Sequence, residues 1–253
     1  MPTIAQAQLY LLAFTRIMAV MAYVPVFGGR PVPTPVKIGL GGMLSFFLAP
    51  LQSLPAPQAE LSILPFAAGI AREFFIGLLS GFAVALTFAA VQTAGELMSN
   101  SIGLSAGRVL NPTLNEPSSP ISDLTYAVAV LLFLVLDGHH QVIAAIDRSF
   151  QLLPLNQPIP AGLSFGNLLR LSAQLLATGV QMALPVVGSM LIADFAMGLL
   201  ARVSPQIPVF FLGLPLKVGV GIVAVSITMA LLLPALRTLV GEVGTRMLGL
   251  IQG

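Results

Sequence analysis

The sequence predicts an all-α membrane protein of long, kinked helices and helical hairpins. Three observations predict it. Of 253 residues, 57% are hydrophobic and 8% charged, where a soluble domain carries about a quarter charged residues. The mean hydropathy is +0.97, the range of integral membrane chains. The apolar residues also fall in long runs divided by clusters of glycine and proline. With Gly 24 and Pro 20, straight uninterrupted helices are not expected.

The same composition excludes several classes. There is no cysteine, hence no disulfide and no thiolate metal site. There is no tryptophan and only three tyrosines, so the interfacial aromatic belt is weak. Net charge is +2 with no basic run, which argues against nucleic-acid binding. Met1 to Gln8 has no basic region, and no cleavage-site pattern follows the first apolar stretch, so no removable signal peptide is expected.

The first apolar segment runs from about Leu9 to Phe27 with Arg16 near its middle. A charge at the centre of a lone lipid-facing helix costs at least ~2.5–3.5 kcal/mol, so Arg16 is expected to face protein and be paired, or to snorkel. Gly28 to Pro35 is a breaker cluster, expected as loop or extended chain. The second segment, about Val36 to Leu51, is short for a span, which needs roughly 20 residues. Pro50, Pro55 and Pro57 close it. The third, about Ile63 to Asn100, is ~55 Å long as one helix at 1.5 Å per residue, against a ~30 Å hydrocarbon core. Arg72, Glu73 and Glu96 interrupt it. Gly69, Gly77, Gly81 and Ala85 recur at spacings of four or eight and invite close approach of another backbone.

Gln92 to Asp123 organises the centre of the chain. It opens as the polar end of the third helix, with Glu96 and Asn100 on one face. It loses helical character at Gly103 and Gly107 and ends in a loop with Pro112, Pro117 and Pro120. Leu124 to Leu136 is strongly apolar and stops at Asp137-Gly138-His139-His140. Gln141 to Phe150 continues amphipathically, carrying Asp147 and Arg148. A second loop, Pro154 to Phe165, leads to Leu168–Val203, where Pro185 is expected to kink or interrupt the helix. Asp194 lies in its second half and Arg202 at its end. After the Ser204–Pro208 turn comes Val209–Leu236, with Pro215 and Lys217. Residues 168–240 read as a self-contained hairpin, and Arg237–Gly253 as a weak amphipathic helix. The basic residues are spread too evenly over the loops to fix orientation.

Candidate chemistry is sparse. Asp137-Gly-His-His suggests a metal or a proton relay, but adjacent histidines on a helix point ~100° apart and no ligand spacing is present. The reading taken is a polar cap where a helix leaves the membrane, with no metal site. Arg16, Arg72, Glu73, Glu96, Asp194 and Lys217 are charges within apolar segments. They suit mutual or intersubunit pairing; a proton-coupled carrier is the alternative. No phosphate-binding glycine loop, no GxSxG and no Ser/His/Asp set with local context is present, so the chain is read as non-catalytic with no cofactor. The Gly103–Pro120 stretch is either a solvated linker or a mobile constriction, since irregular backbone at membrane depth is tolerated where it lines a cavity.

These motifs, in order, resemble one family. They are Arg16, PVFGGRPVP from Pro25 to Pro33, KIGL from Lys37, Glu73 with Ile76-Gly77-Leu78 and Gly81-Phe82, and AGELMSNSIGLSAG from Ala94 to Gly107. Asn111-Pro112, FLVLDGHH from Phe133 to His140, Ser149-Phe150, Leu153-Pro154, and GLLARVSPQIPVFFLGLPLKVGVG from Gly198 to Gly221 follow. The pattern is similar to the FliR family of the bacterial flagellar type III export gate; an injectisome homologue is the near variant. The resemblance implies a subunit of a hetero-oligomeric gate with FliP-like and FliQ-like subunits. FlhB and FlhA are further partners, in the inner membrane at the flagellar basal body. Unfolded flagellar proteins pass through that channel. It implies a FliP-like part over about 1–167 and a FliQ-like hairpin over about 168–253. It also implies a channel plug, here about Ala106 to Ser122. Its residues are Ala106, Gly107, Arg108, Val109, Leu110 and Asn111, then Pro112, Thr113, Leu114, Asn115, Glu116 and Pro117. Where the family often has an acidic residue before the loop proline, this chain has Asn111. In such an assembly Arg16, Arg72, Glu73, Glu96, Asn100, Asp194, Arg202 and Lys217 are expected as buried charges and interface groups.

Overall fold

A computed structural model describes residues 4–28, 32–51, 62–104, 119–155, 165–206 and 208–252 of the chain. Among them every regular element is a helix. In order these are α1 (Ile4–Met21), α2 (Pro25–Gly28), α3 (Thr34–Leu51), α4 (Ile63–Ile102), α5 (Pro120–Val135), α6 (Gly138–Leu152), α7 (Phe165–Val203), α8 (Val209–Gly241) and α9 (Val243–Gln252). Four of them, α1, α4, α7 and α8, are long and apolar enough to cross a membrane, and the bent pair α5–α6 makes up to a fifth span.

Helix ends follow local chemistry, with two departures from the sequence reading. Gly28 closes the short helix α2, and Thr34 and Pro35 open α3, so the breaker cluster is shorter than expected; a proline in the first turn forfeits no helical bond. Pro120 is likewise in the first turn of α5 rather than in the loop. Ser119 caps that helix: its Oγ accepts from the Ser122 amide at 3.4 Å, and its carbonyl accepts from the Asp123 amide at 2.9 Å. Pro185 lies inside α7 without interrupting it, and α8 runs through Pro215 and Pro234. Each proline removes one i→i−4 bond, while an apolar helix holds the rest because nothing else satisfies its backbone there.

α4 stops where the sequence indicated. Gly103 adopts φ 90; its amide donates to the Asn100 carbonyl at 3.1 Å, and the Leu104 amide donates to the Ser99 carbonyl at 3.2 Å. This paired pattern with a left-handed glycine is a Schellman stop.

The chain divides into two compact units: 1–87 with 133–172 and 241–253, and 88–132 with 173–240. In the first unit α1 packs on α3, where the Ser45 hydroxyl donates to the Tyr10 carbonyl at 3.0 Å and Tyr10 stacks on Phe46. Gly69, Gly77 and Gly81 of α4 face Leu12, Arg16 and Val20 of α1, which is the close approach their spacing foretold. α6 buries Val142, Ala145, Ile146, Ser149 and Phe150, one stripe at helical period. α9 packs against α6 through a stripe containing Val243, Met247 and Leu250, the amphipathic tail expected.

In the second unit the polar end of α4 receives α5. The Ser122 hydroxyl donates to the Gln92 carbonyl at 3.1 Å, and Phe88 meets Tyr126 edge to face. α7 crosses α4 at Gly179, which lies against the backbone of Ala90. α7 and α8 form a hairpin, with Gly213 of α8 against Met197 of α7, but it is not self-contained as expected: Gly179 of α7 meets Ala90 and Gly221 of α8 meets Ile102, both of α4, in the same compact unit.

Candidate functional site

Three charged or polar clusters and the central loop are the candidates. The first is buried in the first unit. Arg16, in mid-α1, and Glu73, in α4, are both fully buried. Arg16 Nε donates to Glu73 Oε2 at 2.6 Å, and Nη2 lies 2.5 Å from the same oxygen. Nη1 donates to the Ser149 carbonyl at 3.0 Å and Nη2 to the Leu153 carbonyl at 2.9 Å. The Ser149 carbonyl also accepts from the Leu153 amide at 2.9 Å, and Leu153 is the C-cap of α6, so both acceptors lie at a helix end whose dipole favours a cation. The guanidinium carbon also stands 4.5 Å over the Phe150 ring.

Arg16 therefore ties α1, α4 and the end of α6 together, as its planar fork permits and a lysine would not. It is paired with protein, one of the two outcomes expected from its position. Sequence reasoning found Arg16 and Glu73 as charges in apolar segments, but gave Ser149, Phe150 and Leu153 only as parts of the family pattern, with no role beside Arg16. A signal existed, in that two polar or breaker-flanked positions close the amphipathic helix, but it carried no partner. Arg72 is half-buried, with Nε 3.9 Å from Glu73 Oε1.

The second cluster joins the hairpin. Lys217 Nζ of α8 lies 2.8 Å from Asp194 Oδ1 and donates to Oδ2 at 2.9 Å. Lys217 is half-buried and Asp194 exposed. Their neighbours along the helices, Ile192, Phe195, Leu214 and Leu216, are exposed too.

Glu96, Asn100 and Arg202 are exposed as well. Of the eight residues expected as buried charges or interface groups in an assembly, Arg16 and Glu73 are buried within this chain, Arg72 and Lys217 are half-buried, and Glu96, Asn100, Asp194 and Arg202 are exposed. Composition marks a charge inside an apolar segment but not which face of the helix it occupies. α4 is long enough to cover Arg16's partner on one face and present Glu96 and Asn100 on another.

The third cluster is the α5–α6 bend, a 67° turn. Asp137 holds the left-handed conformation, φ 54 and ψ 31, at the N-cap of α6, yet its carboxylate makes no capping hydrogen bond. Asp137 Oδ1 instead faces His140 Nδ1 at 3.2 Å. The His139 and His140 rings lie 4.1 Å apart. One ligand atom from each of Asp137, His139 and His140 falls within 4.8 Å of the others. Regular helical spacing misleads here, because Asp137 precedes the helix in a left-handed conformation and His139 and His140 occupy its first turn. The sequence offers these three residues as a metal set, but their spacing does not show that their ligand atoms come together.

The plug residues, Ala106 to Pro117, lie outside the described residues. Their stems do not: the Schellman stop at Gly103 and the Ser119 cap fix both ends within the second unit.

Comparison with known proteins gives the family. A family model of bacterial export proteins, family 1, matches residues 7–243. The chain is 32% identical over 237 residues to the flagellar biosynthetic protein FliR of Escherichia coli strain K12, covering 93% of this chain and 89% of the relative. It is 31% identical over 230 residues to FliR of Pectobacterium carotovorum, covering 91% and 87%. The FliR of Bacillus subtilis strain 168 is 31% identical over 238 residues, covering 90% and 88%. A match along that length, to flagellar proteins from such different bacteria, makes this chain a member of bacterial export protein family 1, within the FliR family.

Proposed function

We propose that this chain is a non-catalytic subunit of the flagellar type III protein export gate. It supplies part of the wall of the conduit through which unfolded flagellar proteins leave the cell. The observation that carries this is the family match from residue 7 to residue 243. The relatives named above are flagellar rather than injectisome proteins, which favours the flagellar reading.

The surface of the hairpin supports a role inside an assembly. Of the most apolar stretch of α4, 56% is buried within the chain; for α7 and α8 the shares are 17% and 22%. Lipid alone suits such apolar faces, but it does not suit the Asp194–Lys217 pair set among them, since charges within spans face protein or a water-filled cavity. FliP-like and FliQ-like subunits are the partners proposed for these faces. FlhB and FlhA are proposed as further neighbours, in the inner membrane at the basal body. Within this proposal residues 1–167 take a FliP-like place and 168–253 a FliQ-like place. Glu96, Asn100 and Arg202 are proposed as contacts to other subunits.

The proposed mechanism is passive. The loop carried over as about 106–122, of which Pro120 to Ser122 belong to α5, is proposed to block the channel until substrate displaces it, tethered at Gly103 and Ser119. Native mass spectrometry of the chain co-expressed with its FliP-like and FliQ-like neighbours tests the assignment. The expected result is this chain held within a larger hetero-oligomer. A stable monomer or homodimer that ignores those neighbours would overturn it and favour a carrier.

A further inference from the structure

We infer that the α5–α6 bend is a binding site for a divalent transition-metal ion of the zinc class, with Asp137, His139 and His140 as its ligands. The donors are two imidazoles and one carboxylate, a set that suits Zn²⁺, Co²⁺ or Ni²⁺ and leaves coordination positions open to water. Their placement fits one ion. Zn–N and Zn–O bonds of about 2.0–2.2 Å at a tetrahedral angle put two donors about 3.4 Å apart; Asp137 Oδ1 and His140 Nδ1 are 3.2 Å apart. A ligand atom of His139 lies within 4.8 Å of both.

Hydrogen bonding between Asp137 and His140 accounts for two of the three groups but leaves His139 over. Its Nδ1 is buried and has no hydrogen-bond partner among the described residues. A buried ring nitrogen without a partner is uncommon. In a metal-bound histidine one ring nitrogen takes the metal and the other carries the proton to an acceptor or water, so ion binding gives this ring a defined tautomer. Asp137 and His140 are both exposed, which gives the ion a path from water. The positive end of the α6 dipole opposes a cation, and the Asp137 carboxylate offsets it. The affinity expected is therefore moderate. An ion here holds Asp137 in its left-handed conformation and so holds the bend between the two helices.

The test uses the full chain purified with its partners in detergent, stripped with EDTA, and titrated with Co²⁺ as a spectroscopic substitute for Zn²⁺. Saturation at a single ion per chain, with visible bands of a low-coordinate site, is expected. Asp137→Asn, His139→Ala and His140→Ala should each weaken binding by about tenfold or more, the loss that even ligand-orienting neighbours cause. Should a variant not assemble, X-ray absorption of the Zn²⁺-loaded unmutated complex decides, with two imidazoles expected in the shell. Absence of saturable binding, a shell without imidazole, or affinity unchanged in all three variants would each overturn the site. None of these readouts depends on export, so the gate assignment stands or falls separately.

Discussion

At the scale of single residues, Arg16 decides most. Its guanidinium has three kinds of partner at once: the Glu73 carboxylate, two carbonyls ending α6 and the Phe150 ring. Removing both ions from water costs several kcal/mol each, so the pair is held by this full set of bonds rather than by charge alone. Glu73→Ala leaves an uncompensated buried cation. It should destabilise the chain by about 3–5 kcal/mol, the range for breaking buried pairs. Replacing both ions, as Arg16→Met with Glu73→Leu, should cost less than the single change despite the lost carbonyl bonds. Thermal unfolding of the purified complex measures both; a Glu73→Ala complex as stable as the parent would show that the pair has no structural weight. The position of Arg16 in a span predicted a partner. Which partner was not legible, because Glu73 lies 57 residues away in sequence and Ser149 lies 133 away.

At the scale of elements, the helices were legible and their contacts partly so. The four-residue recurrence of small side chains on α4 predicted a close neighbour, and the neighbour is α1. A methyl group added at Gly77 would stand 2.5 Å from the Arg16 carbonyl oxygen and 2.7 Å from the Ala19 Cβ. Replacing a helical glycine by alanine ordinarily gains up to ~1 kcal/mol in propensity. Overpacking a close contact costs about 1–3 kcal/mol, so packing wins and Gly77→Ala should lower the thermal midpoint. Gly198→Ala, where a Cβ meets nothing within 4 Å, should be neutral or slightly stabilising. Equal midpoints for the two variants would contradict this role of close packing. The prolines show the opposite limit. Pro185 has the local signature of a break, but a helix in an apolar setting keeps its remaining bonds, and the element continues.

At the scale of the whole molecule, the question is what covers the surface. Long helices whose apolar faces are open in the single chain need lipid or protein over them, and the charged pair on the hairpin selects protein or a water-filled cavity for that face. The proposed plug belongs to this scale too, because a loop blocks a channel only when other subunits complete it. Shortening residues 106–117 while keeping Gly103 and Ser119, which close the stems, should leave assembly intact. It should raise leak of ions or small solutes across the membrane several-fold in a flux assay. Unchanged leak from a correctly assembled gate would remove the plug role.

The sequence by itself determined the membrane class, the helical architecture, the stop at Gly103, the hairpin around Ser204–Pro208, and the resemblance that led to the family. These rest on composition, on short-range periodicity and on residues whose backbone preferences act within a few positions. Only the tertiary structure decided that Arg16 holds Glu73 and the end of α6, that Gly77 meets α1, that Glu96 and Asp194 are exposed in the single chain, and that Asp137, His139 and His140 converge. Pairing depends on which helix faces meet. Those faces are brought together by packing between segments far apart in sequence, about which local pattern is silent.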